Sequence, residues 1–81
     1  MKEQIRSIIQ ESGQVPADPS ILAGDADLYA AGMSSHASVT VMLALEDAFD
    51  VEFPDHMLKR SVFESIDSIA AALAELRGEP A

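Results

Sequence analysis

The apolar residues of this 81-residue chain recur every three or four positions, and no segment alternates them every second one. The 3.6-residue period belongs to helices that bury one face, whereas a half-buried strand has period two. Ile5, Ile8 and Ile9 form a first stripe, with Lys2, Glu3, Arg6 and Gln10 on the other faces. Val41, Met42, Leu45 and Phe49 form a second, and Ile66, Ile69, Ala70, Leu73 and Leu76 a third. No Asn-Gly or Asp-Gly hairpin signal interrupts them. The chain therefore reads as all-α.

The punctuation between the stripes sets the layout. Gly13 stops the first helix, and Pro16 and Pro19 prevent its resumption. From Gln14 to Met33 the sequence has the composition of a loop. That is long for a compact domain and suggests a functional segment. Ile21, Leu22, Leu28 and Tyr29 are the residues to pin it to the core. A second helix starts at Ser34 or Ser35, and Pro54 ends what precedes it. Asp55 is positioned to cap a short turn through His56, Met57 and Leu58, with Phe63 a core anchor in the connection that follows. Ser65 can cap the last helix, Asp67 in its first turn suits the helix dipole, and Gly78 and Pro80 close it. The expected architecture is a small bundle of three main helices and one short one, with a long first loop. A chain of this length makes one domain, spanning 1–81.

Charge is unevenly spread. The net charge is −9, and no Lys or Arg occurs from Ser7 to Leu58. Nine acids lie in that stretch: Glu11, Asp18, Asp25, Asp27, Glu46, Asp47, Asp50, Glu52 and Asp55. The rest of the chain holds five acids and five bases, which cancel. Such a chain repels phosphate backbones and anionic lipid, so neither nucleic acid nor a membrane surface is an expected partner. The apolar runs, Val41 to Leu45 among them, are far below the ~20 residues of a membrane span. No signal-peptide pattern opens the chain, and a soluble, monomeric cytoplasmic protein is the expectation.

Catalytic constellations fail one after another. There is no cysteine, so disulfides, thiolate metal sites and a thiol nucleophile of the chain's own are excluded. His36 and His56 are the two histidines. On a helix the side chains of Ser35 and His36 point ~100° apart, which denies them a nucleophile–base pairing. No HExxH, P-loop or dinucleotide signature occurs. Asp25-Ala26-Asp27 resembles the start of a calcium loop, but Tyr29, Ala30 and His36 occupy positions that need an oxygen ligand, Gly and Glu. The reading is a non-enzyme with no metal site.

The informative region is Gly32 to Asp55. Gly32-Met33-Ser34-Ser35 is followed at fixed distance by Ala44-Leu45-Glu46-Asp47-Ala48-Phe49 and then Phe53-Pro54-Asp55. This resembles the acyl carrier protein superfamily, whose members carry Gly-x-Asp-Ser-Leu and then an acidic helix ending near Ile-Pro-Asp. Asp25-Ala26-Asp27-Leu28 and Ser65-Ile66 extend the likeness more weakly, and about two thirds of the chain is covered. The resemblance implies that Ser35 carries 4′-phosphopantetheine, transferred from coenzyme A by a phosphopantetheinyl transferase. The arm ends in a thiol that bears cargo as a thioester. The same positions also read simply as a helix cap.

Two departures bear on partners. Ser34 stands where the family has Asp; both cap helices well, but the local negative charge is lost, and Ser34 becomes a rival to Ser35 that the register of the downstream pattern excludes. His36 stands where the family has Leu, and is either a partner contact or a solvated residue. The Ser-Ser-His variant with its downstream run resembles small bacterial aminoacyl carrier proteins, which are loaded by amino acid:carrier protein ligases related to class II synthetases. The alternative within the superfamily is a fatty acid or polyketide carrier, loaded by another acyl-loading enzyme. Either would deliver to a downstream acceptor enzyme. Outside it, the alternative is an unmodified acidic adaptor for a basic protein.

With the second stripe turned inward, His36, Val39, Thr40, Leu43, Glu46, Asp47 and Asp50 face outward. Ser34, His36, Val39, Thr40, Leu43, Glu46 and Asp47 are the candidate partner contacts, an apolar centre with an acidic rim. The bland counterpart is a solvated acidic face with two stray apolar residues. His56, Lys59 and Arg60 add a local basic cluster.

Overall fold

A computed structural model describes residues 2–13 and 22–78. Four helices follow in order: α1 (Lys2–Ser12), α2 (Ser35–Phe49), α3 (Arg60–Phe63) and α4 (Ile66–Leu76). Among the described residues there is no strand. α1 packs against α2 and α4, and α3 against α4. The expected bundle of three main helices and one short one is what forms. No helix among the described residues is long and apolar enough to cross a membrane.

The three stripes meet in one core. Ile5 and Ile9 of α1, Val41 and Leu45 of α2, and Ile66, Ile69 and Leu73 of α4 are completely buried. Ile8, Met42, Ala70 and Leu76 pack at the margin, while Ala72 and Ala74, small residues the periodicity passes over, are buried. Phe53 and Phe63 close the lower end, their rings edge-to-face with centroids 5.2 Å apart. Such a pair adds about 0.5–1.5 kcal/mol beyond its buried area.

The short turn begins one residue earlier than the sequence suggests, and the short helix α3 follows it. Asp55–Met57 is a single 3-10 turn, and Pro54 rather than Asp55 precedes it, with no side-chain cap. Asp55 is instead its first helical residue. Phe63, expected in a connection, lies at the end of α3.

The described part of the loop is tied down at several points. Leu28 is fully buried, Leu22 and Tyr29 are half-buried, and Ile21, Pro16 and Pro19 fall outside the described residues, as does Pro80. The Leu28 N–H donates to the Glu64 carbonyl (2.6 Å), and the Asp67 N–H to the Gly24 carbonyl (2.9 Å). A guanidinium nitrogen of Arg6 donates to the Leu22 carbonyl at 2.6 Å. The loop is thereby bound to α1 and to the start of α4. Ser65 caps α4 in a box with Ser68, each side chain accepting the other's backbone N–H. This places the next segment, Leu28 to Ser34, at a fixed height on the bundle.

Candidate functional site

The approach to α2 is a turn with no slack. Asp27 Oδ1 accepts from the Tyr29 N–H (2.9 Å) and the Ala30 N–H (3.3 Å). The Gly32 and Met33 N–H groups close back on the Tyr29 and Leu28 carbonyls. Gly32 has φ 118°, a conformation open to glycine and costly for other residues. Met33 then drops into the core at 2% exposure. The next two residues are left at the surface, at the head of a helix.

Those two serines have different surroundings. Ser34 is the N-cap, with φ −79° and ψ 163°, and its Oγ accepts from the Ala37 N–H at 3.0 Å. Ser35 is the first helical residue and is exposed. Its carbonyl accepts from Ser38 Oγ (2.6 Å), but its own hydroxyl has no hydrogen-bond partner among the described residues. It stands among the unpaired N–H groups at the positive end of a 15-residue helix. One hydroxyl therefore holds the helix while the other is available for chemistry.

α2 divides its residues among three stripes, which follows from ~100° per residue. Ala37, Val41, Leu45 and Phe49 are buried in the core. His36, Thr40, Leu43 and Asp47 are exposed, with Leu43 at 57%. Ser35, Ser38, Val39 and Met42 form the third stripe and line one wall of an open groove of about 350 Å³. Tyr29, Leu58, Lys59, Arg60 and Phe63 form the rest of its lining. Met42, expected in the core, is half-buried and shared with the groove wall. Val39, expected among the outward contacts, is 50% exposed and turned to the groove side.

Glu46 departs from the outward reading. It is half-buried, and its Oε2 accepts from the Phe53 N–H at 2.9 Å, tying the end of α2 to the descending chain. Asp50 terminates the helix in the left-handed region (φ 54°, ψ 50°) and is exposed. The basic cluster divides: Lys59 and Arg60 line the groove with Ser35, whereas His56 is exposed and lines a separate depression beside α4. The Arg60 guanidinium lies 4.3 Å from the centroid of the Tyr29 ring.

The groove was not legible in the sequence. Tyr29, Leu58 and Phe63 come from three separate segments, and helical spacing relates none of them to Ser35. The one local signal was an apolar Leu58, 48% exposed, immediately before two bases in a base-poor region.

A phosphopantetheine group fits these residues. Its phosphodiester would sit on an unengaged, exposed hydroxyl at a helix N-terminus, where an anion gains about 0.3–1 kcal/mol. The groove beside it offers apolar walls and two cations.

Comparisons with known proteins agree. The family model described as "Phosphopantetheine attachment site" matches residues 3–73. The chain is 52% identical over 69 residues, 85% of its length and 83% of the relative's, to an aminoacyl carrier protein of Agrobacterium fabrum (strain C58 / ATCC 33970). It superposes with a TM-score of 0.87 and 49% identity, covering 90% of this chain and 97% of the other, on a chain of a crystal structure. That structure is of an engineered Bradyrhizobium japonicum glycine:[carrier protein] ligase complexed with a carrier protein from Agrobacterium tumefaciens and AMP. A solution structure of an Agrobacterium tumefaciens protein matches with a TM-score of 0.77 and 46% identity, over 96% of this chain and 94% of that one.

Proposed function

This chain belongs to the phosphopantetheine-attachment family, and we propose that within it the chain is an aminoacyl carrier modified on Ser35. The observation that carries the assignment is the difference between the two serines. The Ser34 hydroxyl is engaged by the Ala37 N–H, and the hydroxyl of exposed Ser35 is unengaged among the described residues. In the modification the Ser35 oxygen attacks the coenzyme A phosphorus that bears the pantetheine. The pyrophosphate P–O bond breaks, the adenosine nucleotide leaves with its electron pair, and the serine proton passes to a base of the phosphopantetheinyl transferase. When bound, the group supplies a thiol for a thioester. The chain itself positions the serine, offers the groove, and presents docking surface to the enzymes that load and unload it.

An amino acid:carrier protein ligase is the loading partner supported best. The A. tumefaciens carrier that this chain resembles was crystallised with such a ligase. The docking surface we assign is the exposed stripe His36, Thr40, Leu43 and Asp47, an apolar residue within a polar and acidic rim. Val39 and Ser34 lie at its edge beside Ser35, and Glu46 contributes through the helix end it fastens. A downstream acceptor enzyme completes the cycle.

The test has two steps. The protein is incubated with coenzyme A and a broad-range transferase, and its intact mass is taken. A gain of one phosphopantetheine on the wild type, absent in Ser35→Ala, is expected; a gain that survives Ser35→Ala refutes the assignment. The modified protein is then offered to a glycine:[carrier protein] ligase with ATP and radiolabelled amino acids. Label released by hydroxylamine supports the aminoacyl reading, and loading confined to fatty acids by acyl-activating enzymes overturns it.

A further inference from the structure

The groove beside Ser35 has a charge opposite to that of the protein. The chain carries fourteen acids and five bases, yet among the described residues two bases and no carboxylate line this groove. Neither Lys59 nor Arg60 is ion-paired among the described residues. Arg60 is held over the ring of Tyr29, which also lines the groove, so its charge stays beside the groove wall. The walls between are apolar: Val39, Met42, Leu58 and Phe63.

Resting on the assignment of Ser35 above, we infer that Lys59 and Arg60 make this groove a seat for the uncharged end of the arm and a barrier to its aminoacylated end. The unloaded arm is an anion at the serine and neutral beyond it, which suits a groove with cations at its rim and apolar walls. An aminoacyl thioester ends in an α-ammonium group, since free α-amino groups titrate near ~7.7–8.0. Drawn back across the groove, that ammonium meets two like charges and no carboxylate. Lys59 and Arg60 therefore bias the loaded arm toward solvent, where an acceptor enzyme finds the thioester. The interaction crosses an open groove, so salt weakens it.

The experiment follows backbone amide shifts of isotopically labelled protein at low salt and about pH 6, where an α-amino group is protonated. Three forms are compared with the unmodified chain: the unloaded arm, an arm bearing glycine through a stable amide, and one bearing N-acetylglycine. Intact mass first establishes modification on Ser35, and a missing mass gain refutes the underlying assignment rather than this inference. With modification in place, the unloaded and N-acetylglycyl arms shift Met42, Leu58 and Phe63, and the glycyl arm leaves them at their unmodified positions. In Lys59→Gln/Arg60→Gln the glycyl arm shifts them too. Lys59→Gln alone, which keeps the Arg60–Tyr29 stack, gives an intermediate shift. Equal shifts from glycyl and N-acetylglycyl arms in the wild type overturn the inference. So does a difference that persists in the double variant, or an arm that never shifts the groove.

Discussion

Ser34 and Ser35 are adjacent, chemically identical and both exposed, so replacing each with alanine separates the helix cap from the attachment point. Ser34→Ala removes the 3.0 Å acceptor of the Ala37 N–H. An N-cap serine is worth about 1 kcal/mol over alanine. In a domain of this size 1 kcal/mol moves the melting temperature by about 4–8 °C. Ser35→Ala removes a side chain whose hydroxyl has no hydrogen bond among the described residues and installs a better helix former, so its stability change stays within about 0.5 kcal/mol of zero. The two assays must then dissociate. By thermal circular dichroism Ser34→Ala melts several degrees early, Ser35→Ala melts with the wild type, and Ser34→Asp restores the cap. By intact mass after transferase treatment, Ser34→Ala gains phosphopantetheine and Ser35→Ala does not. A destabilised Ser35→Ala beside a neutral Ser34→Ala would mean the roles are exchanged and the register of α2 is off by one residue.

Three further outcomes follow from the same geometry. Gly32→Ala forces an alanine to φ 118°, costing about 1–3 kcal/mol in chemical denaturation and slowing transferase modification, because the strained turn delivers Ser35. Glu46→Ala loses the acceptor of the Phe53 N–H and costs about 1 kcal/mol, whereas Asp47→Lys leaves stability within about 0.5 kcal/mol but slows loading by the ligase; equal loading would place docking elsewhere. Asp50→Val puts a β-branched residue at φ 54° and costs about 1–2 kcal/mol in thermal melts, while Asp50→Gly and Asp50→Asn are tolerated.

How much of this was readable in advance depended on range. Ile5 and Ile9, Val41 and Leu45, and Ile69 and Leu73 announce buried faces because helical neighbours are set by the backbone period alone. Ser34 and Ser65 announce helix starts because capping is local. Met42 was placed too deep by the same period, and Val39 proved exposed as expected but on the groove side, because the period says that a face is apolar but not which neighbour covers it. Glu46 looked solvated because its partner, the Phe53 N–H, lies seven residues away beyond the end of the helix. The groove depended on Tyr29, Leu58 and Phe63 converging from outside α2, and nothing local encodes such a meeting.

The three stripes of α2 also explain why its end residues bear on function at one remove. Core, groove and docking stripes are spaced by roughly 90–150°. A slip of one residue rotates every side chain by ~100°, enough to carry Leu43 and Asp47 away from the surface and Val41 toward it. What fixes the register is therefore as consequential as what each stripe contains. At the head it is fixed by the Ser34 cap and by Met33, buried one residue before it. At the foot it is fixed by Asp50 in the left-handed region and by Glu46 gripping the Phe53 N–H. Neither Ser34 nor Glu46 need touch a partner enzyme for its loss to reduce loading. A variant at either position should lose stability and loading together, and restoring stability by a compensating core substitution should recover loading in part. A docking residue such as Leu43 should lose loading alone, and no gain in stability elsewhere should recover it.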